Sequence, residues 1–351
     1  MRQVWITRYG GPNVLEVREA PDPVPGPGEV RVQVRAIGIN FADIMARKGL
    51  YPDAPKPPCV VGYEIAGVVE EVGSGEIPWR AGDWVFGLTP FGGYSSAVVL
   101  PADHLFRIPE GMTFEEAATL PVNYLTAYAA LLAMARVQSG DVVLIHNIGG
   151  GVGLAALDMC RMKGATIIGT ASGWKHDRLR AWGADMLIDY RRRDFEEGVL
   201  SYTGGKGVDI ILDPIGGAYW RKDMRLLRPM GKLICYGVSS LSTGSRRSLL
   251  TLLPWAARVP WLGFTPISLM NHNRGVMGLN LGHMWDEKEM LKAWMLDILH
   301  WYEAGHIHPR VDRTFPLEEA AQAHQYIEER RNLGKVVLTV EEKFSPSRQA
   351  R

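Results

Sequence analysis

The sequence predicts an α/β protein of two domains, one rich in β-strands and one built on a doubly wound parallel sheet. Three observations predict it. The chain has 351 residues, enough for two hydrophobic cores. Over about the first 120 residues, short alternating runs are divided by Gly and Pro, the pattern of a compact β-rich unit. From about Asn123 to Gly282, short apolar runs alternate with helical periodicity, the pattern of a parallel sheet with crossover helices.

The elements follow in order. In Glu29 to Ile39, Val30, Val32, Val34 and Ala36 alternate with polar or small residues, so this run reads as a half-buried strand. Glu64 to Val72, Trp84 to Gly87 and Tyr94 to Leu100 are further strands, and Pro21, Pro23, Pro25 and Pro27 mark a stiff loop. Val142 to His146 opens the second pattern as a buried strand, which makes His146 structural. Val152 to Lys163 then runs as a helix and stops at Gly164, whose lack of a Cβ permits the left-handed turn of a C-cap. Thr166 to Gly169, Met186 to Ile188, Val208 to Leu212, Lys232 to Tyr236 and Val276 to Asn280 continue the series. An amphipathic helix ends through Trp301, and a last strand near Lys335 to Val340 is expected to return to the first domain.

Composition excludes several classes. A formal net charge of +1 offers no basic field for nucleic acid. The apolar runs are short and interrupted, so no bilayer span is expected, and the N-terminus does not read as a signal peptide. Cys59, Cys160 and Cys235 are far apart, which argues against a disulfide framework or a cysteine-rich metal cage. A soluble protein of a reducing, cytoplasmic compartment is expected.

The chemistry centres on His146-Asn147-Ile148-Gly149-Gly150-Gly151-Val152-Gly153. Glycine lets the backbone turn sharply and lets a pyrophosphate approach the amides, while the helix start offers unpaired N–H groups and a positive dipole end. The strict G-x-G-x-x-G spacing is not met, because Leu154 stands at the last glycine position counted from Gly149; Gly150 to Gly153 fit a looser variant. A plain tight turn is the competing reading, and the strand before and helix after argue against it. Gly150, Gly151, Val152 and Gly153 are therefore cofactor-binding candidates.

An NAD site carries an acidic residue at the end of the second strand, about 20 residues on, for the ribose hydroxyls. That end reads Gly169-Thr170-Ala171-Ser172-Gly173-Trp174-Lys175, without a carboxylate. Ser172 and Lys175 suit a 2′-phosphate, and Tyr190 follows the neighbouring third strand, so NADPH is expected. Arg192 and Arg193 read as solvated surface.

These residues, with Gly38-Ile39-Asn40-Phe41-Ala42-Asp43, Gly49-Leu50-Tyr51-Pro52, Gly62-Tyr63-Glu64, Leu120-Pro121, Thr126-Ala127-Tyr128 and Asp213-Pro214-Ile215-Gly216-Gly217, resemble the quinone-oxidoreductase branch of the medium-chain dehydrogenase/reductase superfamily. Asn280-Leu281-Gly282-His283-Met284-Trp285 resembles the subgroup of synaptic-vesicle membrane protein homologues. The resemblance covers nearly the whole chain. It implies a GroES-like catalytic domain over residues 1–122 and 283–351 and a Rossmann domain over 123–282, with the active cleft between them. It implies NADPH-linked reduction of quinones or α,β-unsaturated carbonyls. Lys175 and Tyr190 match residues holding the 2′-phosphate, Asn332 a late cofactor contact, and Asn40 and Tyr51 residues lining the nicotinamide and substrate pocket. One departure is the bulk of Ile148, where the family has small residues, and it bears on the shape of the turn.

Zinc members of the superfamily present Cys, His and Cys to a catalytic metal. The matching positions here are Asn40, Tyr63 and Val122, so no metal is expected. Charge on the acceptor oxygen must then be met by hydrogen-bond donors, for which Tyr51 and Asn40 are the candidates. From the residues alone, Tyr51 reads more readily as a packed loop ring and Asn40 as a turn former, and it is the resemblance that favours the donor roles. The other functional class left open is an NADPH-binding protein with little turnover, acting as a sensor or binding lipid or a membrane partner. An apolar stretch between Ser239 and Met270 suggests a cover over the cleft, an interface, or a peripheral membrane contact. The strand Val276 to Asn280, last in its sheet, suggests a homodimer through that edge.

Overall fold

The computed structural model describes residues 1–242 and 264–341. Most of the apolar stretch between Ser239 and Met270 therefore lies outside the described residues. The N-terminal strands are β1 (Arg2–Ile6), β2 (Leu15–Glu19), β3 (Glu29–Gly38), β4 (Cys59–Val60), β5 (Glu64–Val72), β6 (Trp84–Leu88), β7 (Ala97–Pro101) and β8 (Leu105–Arg107). β1 pairs with β2 and β4 in a small antiparallel sheet. β3 is the hub of the larger sheet, pairing antiparallel with β5 and β7. Its inward residues Val30, Val32, Val34 and Ala36 are fully buried, which is what the period of two requires when one face meets the core. β7 begins at Ala97 rather than Tyr94, because the Tyr94 carbonyl is taken by the Val4 N–H and Ser95 bridges to Gln3. Helix α1 (Phe41–Arg47) follows β3, capped at Asn40, with α2 (Phe114–Ala117) and α3 (Leu120–Tyr128) after β8.

The second layer is a six-stranded parallel sheet. It comprises β9 (Val142–Ile145), β10 (Thr166–Thr170), β11 (Met186–Ile188), β12 (Val208–Asp213), β13 (Leu227–Cys235) and β14 (Gly275–Gly278), in the order β11-β10-β9-β12-β13-β14. The strand order reverses beside β9, the switch point where doubly wound sheets bind ligands. Between the strands run α4 (Gly151–Lys163), α5 (His176–Ala181), α6 (Phe195–Tyr202), α7 (Ala218–Leu226) and α8 (Pro266–His272). α4 ends at Gly164 with φ of 71°, the left-handed cap expected of that glycine. His146 is buried, its Nε2 2.9 Å from Asp223 and its Nδ1 3.2 Å from Thr170. β14 is shorter than the expected Val276 to Asn280, since the Asn280 side chain accepts the Gly282 N–H at 3.0 Å and starts a turn instead.

Helix α9 (Lys288–Glu303) buries Leu291, Met295 and Ile298 in the core shared with α3. β15 (Val311–Pro316) and β16 (Lys335–Thr339), joined by α10 (Ala320–Glu328), return the chain to the first sheet, where β16 pairs antiparallel with β3. The helical stretch Phe114–Ala135 is long and apolar enough to cross a bilayer by length and composition, but 72% of its apolar window is buried within the fold.

One buried ion pair ties α4 to the segment before β15. Arg310 donates to both oxygens of Asp158 at 2.9 Å, and Asp158 also receives the Tyr124 hydroxyl and the His308 N–H. Asp158 is fully buried. Its replacement by Ala strands the Arg310 charge, with an expected cost of about 3–5 kcal/mol. Denaturant unfolding of Asp158→Ala measures this, and a loss below about 1 kcal/mol would mean that the pair does not hold the two segments together.

Candidate active site

A cleft of about 1090 Å³ runs from the carboxyl ends of β9 and β10 to the α1 end of the first sheet. Asn40, Tyr51, Gly150, Gly151, Val152, Gly153, Ser172, Lys175, Tyr190 and Asn332 all line it.

At the turn after β9, Asn147 takes a positive φ of 52° and its carbonyl accepts the Gly150 N–H. A Cβ on Gly153 would lie 2.5 Å from the Asn147 carbonyl oxygen, and one on Gly151 would lie 2.5 Å from the Asn123 amide. Backbone blocks any side chain at Gly153, and one at Gly151 would have to displace the buried Asn123 amide. α4 starts at Gly150 without a side-chain cap, so its first amides open onto the cleft. Ile148 does not enter the cleft. It is fully buried under β10, and Gly169 makes the room, since a Cβ there would stand 2.6 Å from Ile148 Cγ2.

Beyond β10, Ser172 Oγ lies 3.3 Å from the Tyr190 hydroxyl. Lys175 is buried and donates to the Asn332 carbonyl, while the Asn332 amide turns to Gly334. Burial pushes the Lys175 ammonium below its ordinary pKa. Burial works to raise that of Tyr190, but hydrogen bonds from Ser172 and Arg330 outweigh it and hold the phenol low. Arg330 donates to the Tyr190 hydroxyl at 3.2 Å from a backbone with φ of 58°. The Asp189 carboxylate close by is occupied by the N–H groups of Gly173 and Arg191. Arg192 and Arg193 are exposed.

The other end of the cleft has a charged floor. Lys335 on β16 meets Glu64 on β5 at 2.5 Å, and both are buried. Asn40 lies between them, donating to Glu64 at 2.8 Å and accepting from Lys335 at 2.6 Å. The second Glu64 oxygen takes the Val122 N–H at 2.8 Å. The Asn40 amide also reaches the Gly38 carbonyl at 3.4 Å, so its donors are directed into the protein in this structure. Glu64 is the stronger acceptor and is already in place.

Above the floor stand Tyr51 and Tyr63, edge to face with centroids 6.3 Å apart. Burial pushes the Tyr51 phenol up, and the Asp53 charge adds to it, so it stays protonated at neutral pH. Its hydroxyl lies 3.5 Å from Asn280 Oδ1, while Asp53 pairs with His283 at 2.8 Å. These contacts join the first sheet's loop to the end of the second sheet. Among the described residues, no group of three or more His, Cys, Asp or Glu is gathered in a way that could hold a metal ion.

Sequence reading missed Arg330, Asn123 and the Lys335–Glu64 pair. Glu64 stood in a quoted motif, yet nothing in the sequence shows that a lysine some 270 positions later faces it. Arg330 belonged to a short basic run before Asn332 that reads as solvated surface.

Comparison with known proteins places this arrangement. Residues 26–110 match the alcohol dehydrogenase GroES-like domain, and residues 182–338 match the family described as zinc-binding dehydrogenase. The human synaptic vesicle membrane protein VAT-1 homolog is 42% identical over 343 residues, covering 96% of this chain and 86% of that protein. A quinone oxidoreductase of Pseudomonas aeruginosa is 35% identical, covering 96% and 99%. The structure of Escherichia coli quinone oxidoreductase complexed with NADPH superposes with a TM-score of 0.83 at 30% identity, covering 97% and 100%. The chain belongs to the medium-chain dehydrogenase/reductase superfamily, with a GroES-like domain and a Rossmann-type parallel sheet. Within it, the chain falls in the quinone-oxidoreductase branch, beside the VAT-1 homologues.

The fit of Ile148 to Gly169 is testable. Gly169→Ala should cost about 1–3 kcal/mol through overpacking. Adding Ile148→Ala should recover most of that loss beyond the sum of the single changes. Additive losses in a double-mutant cycle of thermal unfolding would show that the two side chains do not compete for space.

Proposed function

We propose that this protein is an NADPH-dependent oxidoreductase that reduces quinones or α,β-unsaturated carbonyls without zinc. The observation that carries the reading is the end of the cleft beyond β10. There Ser172, Lys175, Tyr190 and Arg330 converge, and the nearby Asp189 carboxylate is turned into backbone N–H groups. A 2′-phosphate is attracted by such a set, whereas a ribose diol would want the free carboxylate that is missing. The α4 amides and Gly150, Gly151, Val152 and Gly153 suit the pyrophosphate, and Asn332 closes over the Lys175 side. The family resemblance and the NADPH complex of the Escherichia coli relative support the same choice.

The bound cofactor supplies a hydride; the chain supplies position and charge stabilisation. Asn40, fixed by Lys335 and Glu64, shapes the floor beside the substrate. Tyr51 donates its hydroxyl proton toward the acceptor oxygen where negative charge develops. Met45, Leu88, Val122 and Trp285 give the cleft an apolar wall that favours a hydrophobic acceptor over a small polar one. At the zinc positions of the superfamily stand a carboxamide, a phenol and an isopropyl group, a set that supplies no anionic or imidazole ligand. A cytoplasmic homodimer fits the reading. β14 ends its sheet, and Ile267 and Met270 on the helix before it are exposed.

Two measurements test this. Lys175→Ala should weaken NADPH by roughly 1–3 kcal/mol and leave NADH nearly unchanged. Equal loss for both cofactors in titration calorimetry would reject the phosphate assignment.

NADPH oxidation over a panel of quinones and enones should persist after exhaustive chelation. Loss of turnover with removal of one zinc per chain would refute zinc independence. Tight NADPH binding with no turnover across the panel would instead favour a sensor or a lipid- or membrane-partner-binding protein.

A further inference from the structure

Two glycines give the turn after β9 a direction. A Cβ on Gly149 would lie 3.0 Å from Lys175 Cδ and 3.5 Å from Lys175 Nζ, so that end of the turn faces the residues beyond β10. A Cβ on Gly151 would lie 2.5 Å from Asn123 Nδ2, so the other end faces α3. The start of α4 therefore lies between Lys175 on one side and, on the other, Asn123 with the Lys335 and Asn40 floor behind it.

Asn123 stands near the start of α3, is 5% exposed and lines the cleft. Lys335 fixes which way its amide points. An ammonium can only donate, and it has three N–H groups. Lys335 Nζ has three acceptors: Glu64, Asn40 Oδ1 at 2.6 Å and Asn123 Oδ1 at 3.4 Å. The Asn123 oxygen must face the lysine, which leaves its nitrogen to the α4 side. Among the described residues that Nδ2 has no hydrogen-bond partner. A buried amide nitrogen left unpaired is costly, so this one calls for an acceptor. Its neighbours on that side are donors too. The first α4 residue whose N–H bonds back along the chain is Leu154, to the Gly150 carbonyl, so the amides before it are unspent. Unpaired donors gathered at a helix start suit an anion.

On the footing of the NADPH reading, which this deepens, we infer that Asn123 donates its free amide hydrogens to the nicotinamide-side phosphate of the dinucleotide. The order of groups along the cleft gives the order along the cofactor. The 2′-phosphate belongs at Lys175, the pyrophosphate across the α4 amides, and the nicotinamide half toward Asn40 and Lys335. Asn123 stands at the last phosphate before that floor. Its oxygen is held by the lysine that sets the floor, so one side chain ties the phosphate to the Lys335–Glu64 pair. Glycine at 151 then serves Asn123 as well as the phosphate, since a side chain there would push the amide aside. Asn123 is a cofactor-binding residue and touches no reacting atom of the acceptor.

Titration calorimetry tests this without turnover, with three ligands. NADPH is the first. The second, 2′-phospho-ADP-ribose, keeps both bridging phosphates and lacks the nicotinamide. The third, adenosine 2′,5′-bisphosphate, lacks the nicotinamide-side phosphate. In Asn123→Ala, affinity for the first two should fall roughly 10–100-fold, as for loss of a hydrogen bond to a charged group, while that for the bisphosphate stays within about two-fold. Asn123→Asp keeps the size of the side chain and an acceptor for Lys335 but puts a negative charge in place of the donor. NADPH should lose more affinity in Asn123→Asp than in Asn123→Ala. An NADPH affinity within about two-fold of the parent in Asn123→Ala overturns the assignment. So does an equal loss for the bisphosphate, which would mark general damage to the cleft. Unchanged binding of 2′-phospho-ADP-ribose would move the contact to the nicotinamide ring. Affinity recovered in Asn123→Asp would make the side chain an acceptor for Lys335 and nothing more. Either result rejects the phosphate contact. If the parent binds none of the three ligands, the NADPH reading fails and takes this assignment with it. If the parent binds all three and the variants match it, the assignment alone fails.

Discussion

The contact on which the cleft depends is the buried pair of Lys335 and Glu64. Neither charge has water to lean on, so each must be met by the protein. Asn40 satisfies both at once, and the second Glu64 oxygen holds the Val122 N–H at the start of α3. Four elements are thereby fixed at one point: β5, β16, the α1 cap and the first turn of α3. Removing either charge would leave the other buried and unpaired, which is the costly way to break such a pair. The arrangement sets orientation by charge within the protein.

The fold was largely legible in the sequence, because its signals are local. Alternation along β3, the helix from Gly151 to the Gly164 cap and the series of apolar runs from Val142 each act over a few residues. Errors fell where a side chain competed with the strand. Asn280 ended β14 early by capping a turn, and Ser95 held Tyr94 out of β7 by bridging to Gln3. The π-helical turn Ala129–Ala135, closed by Arg136 in a left-handed conformation, leaves no pattern that differs from an ordinary helix.

The site was legible in membership more than in role. Each of the ten residues singled out reaches the cleft, since strand ends and helix starts are where short motifs point. What each does depends on partners distant in sequence. The partners of Asn40 are Glu64 and Lys335, far from it in sequence, and the bulk of Ile148 is met by the missing Cβ of Gly169. Volume and charge complementarity of this kind are properties of pairs, and a single sequence carries no record of which residues meet.

The return of β15 and β16 to the first sheet also bears on how the chain is made. The strands β9 to β13 lie close together in sequence, so most of the parallel sheet can assemble as those residues emerge. The first sheet is completed only later, because β16 joins β3 after about 300 further residues have been synthesised. Until then Glu64 lacks the buried cation that meets it in the folded protein. The strand that completes that sheet carries Lys335, so the cleft gains its floor and its neutralising charge in a single late event. Chain order thus places the strands of the parallel sheet ahead of the one that completes the cleft floor.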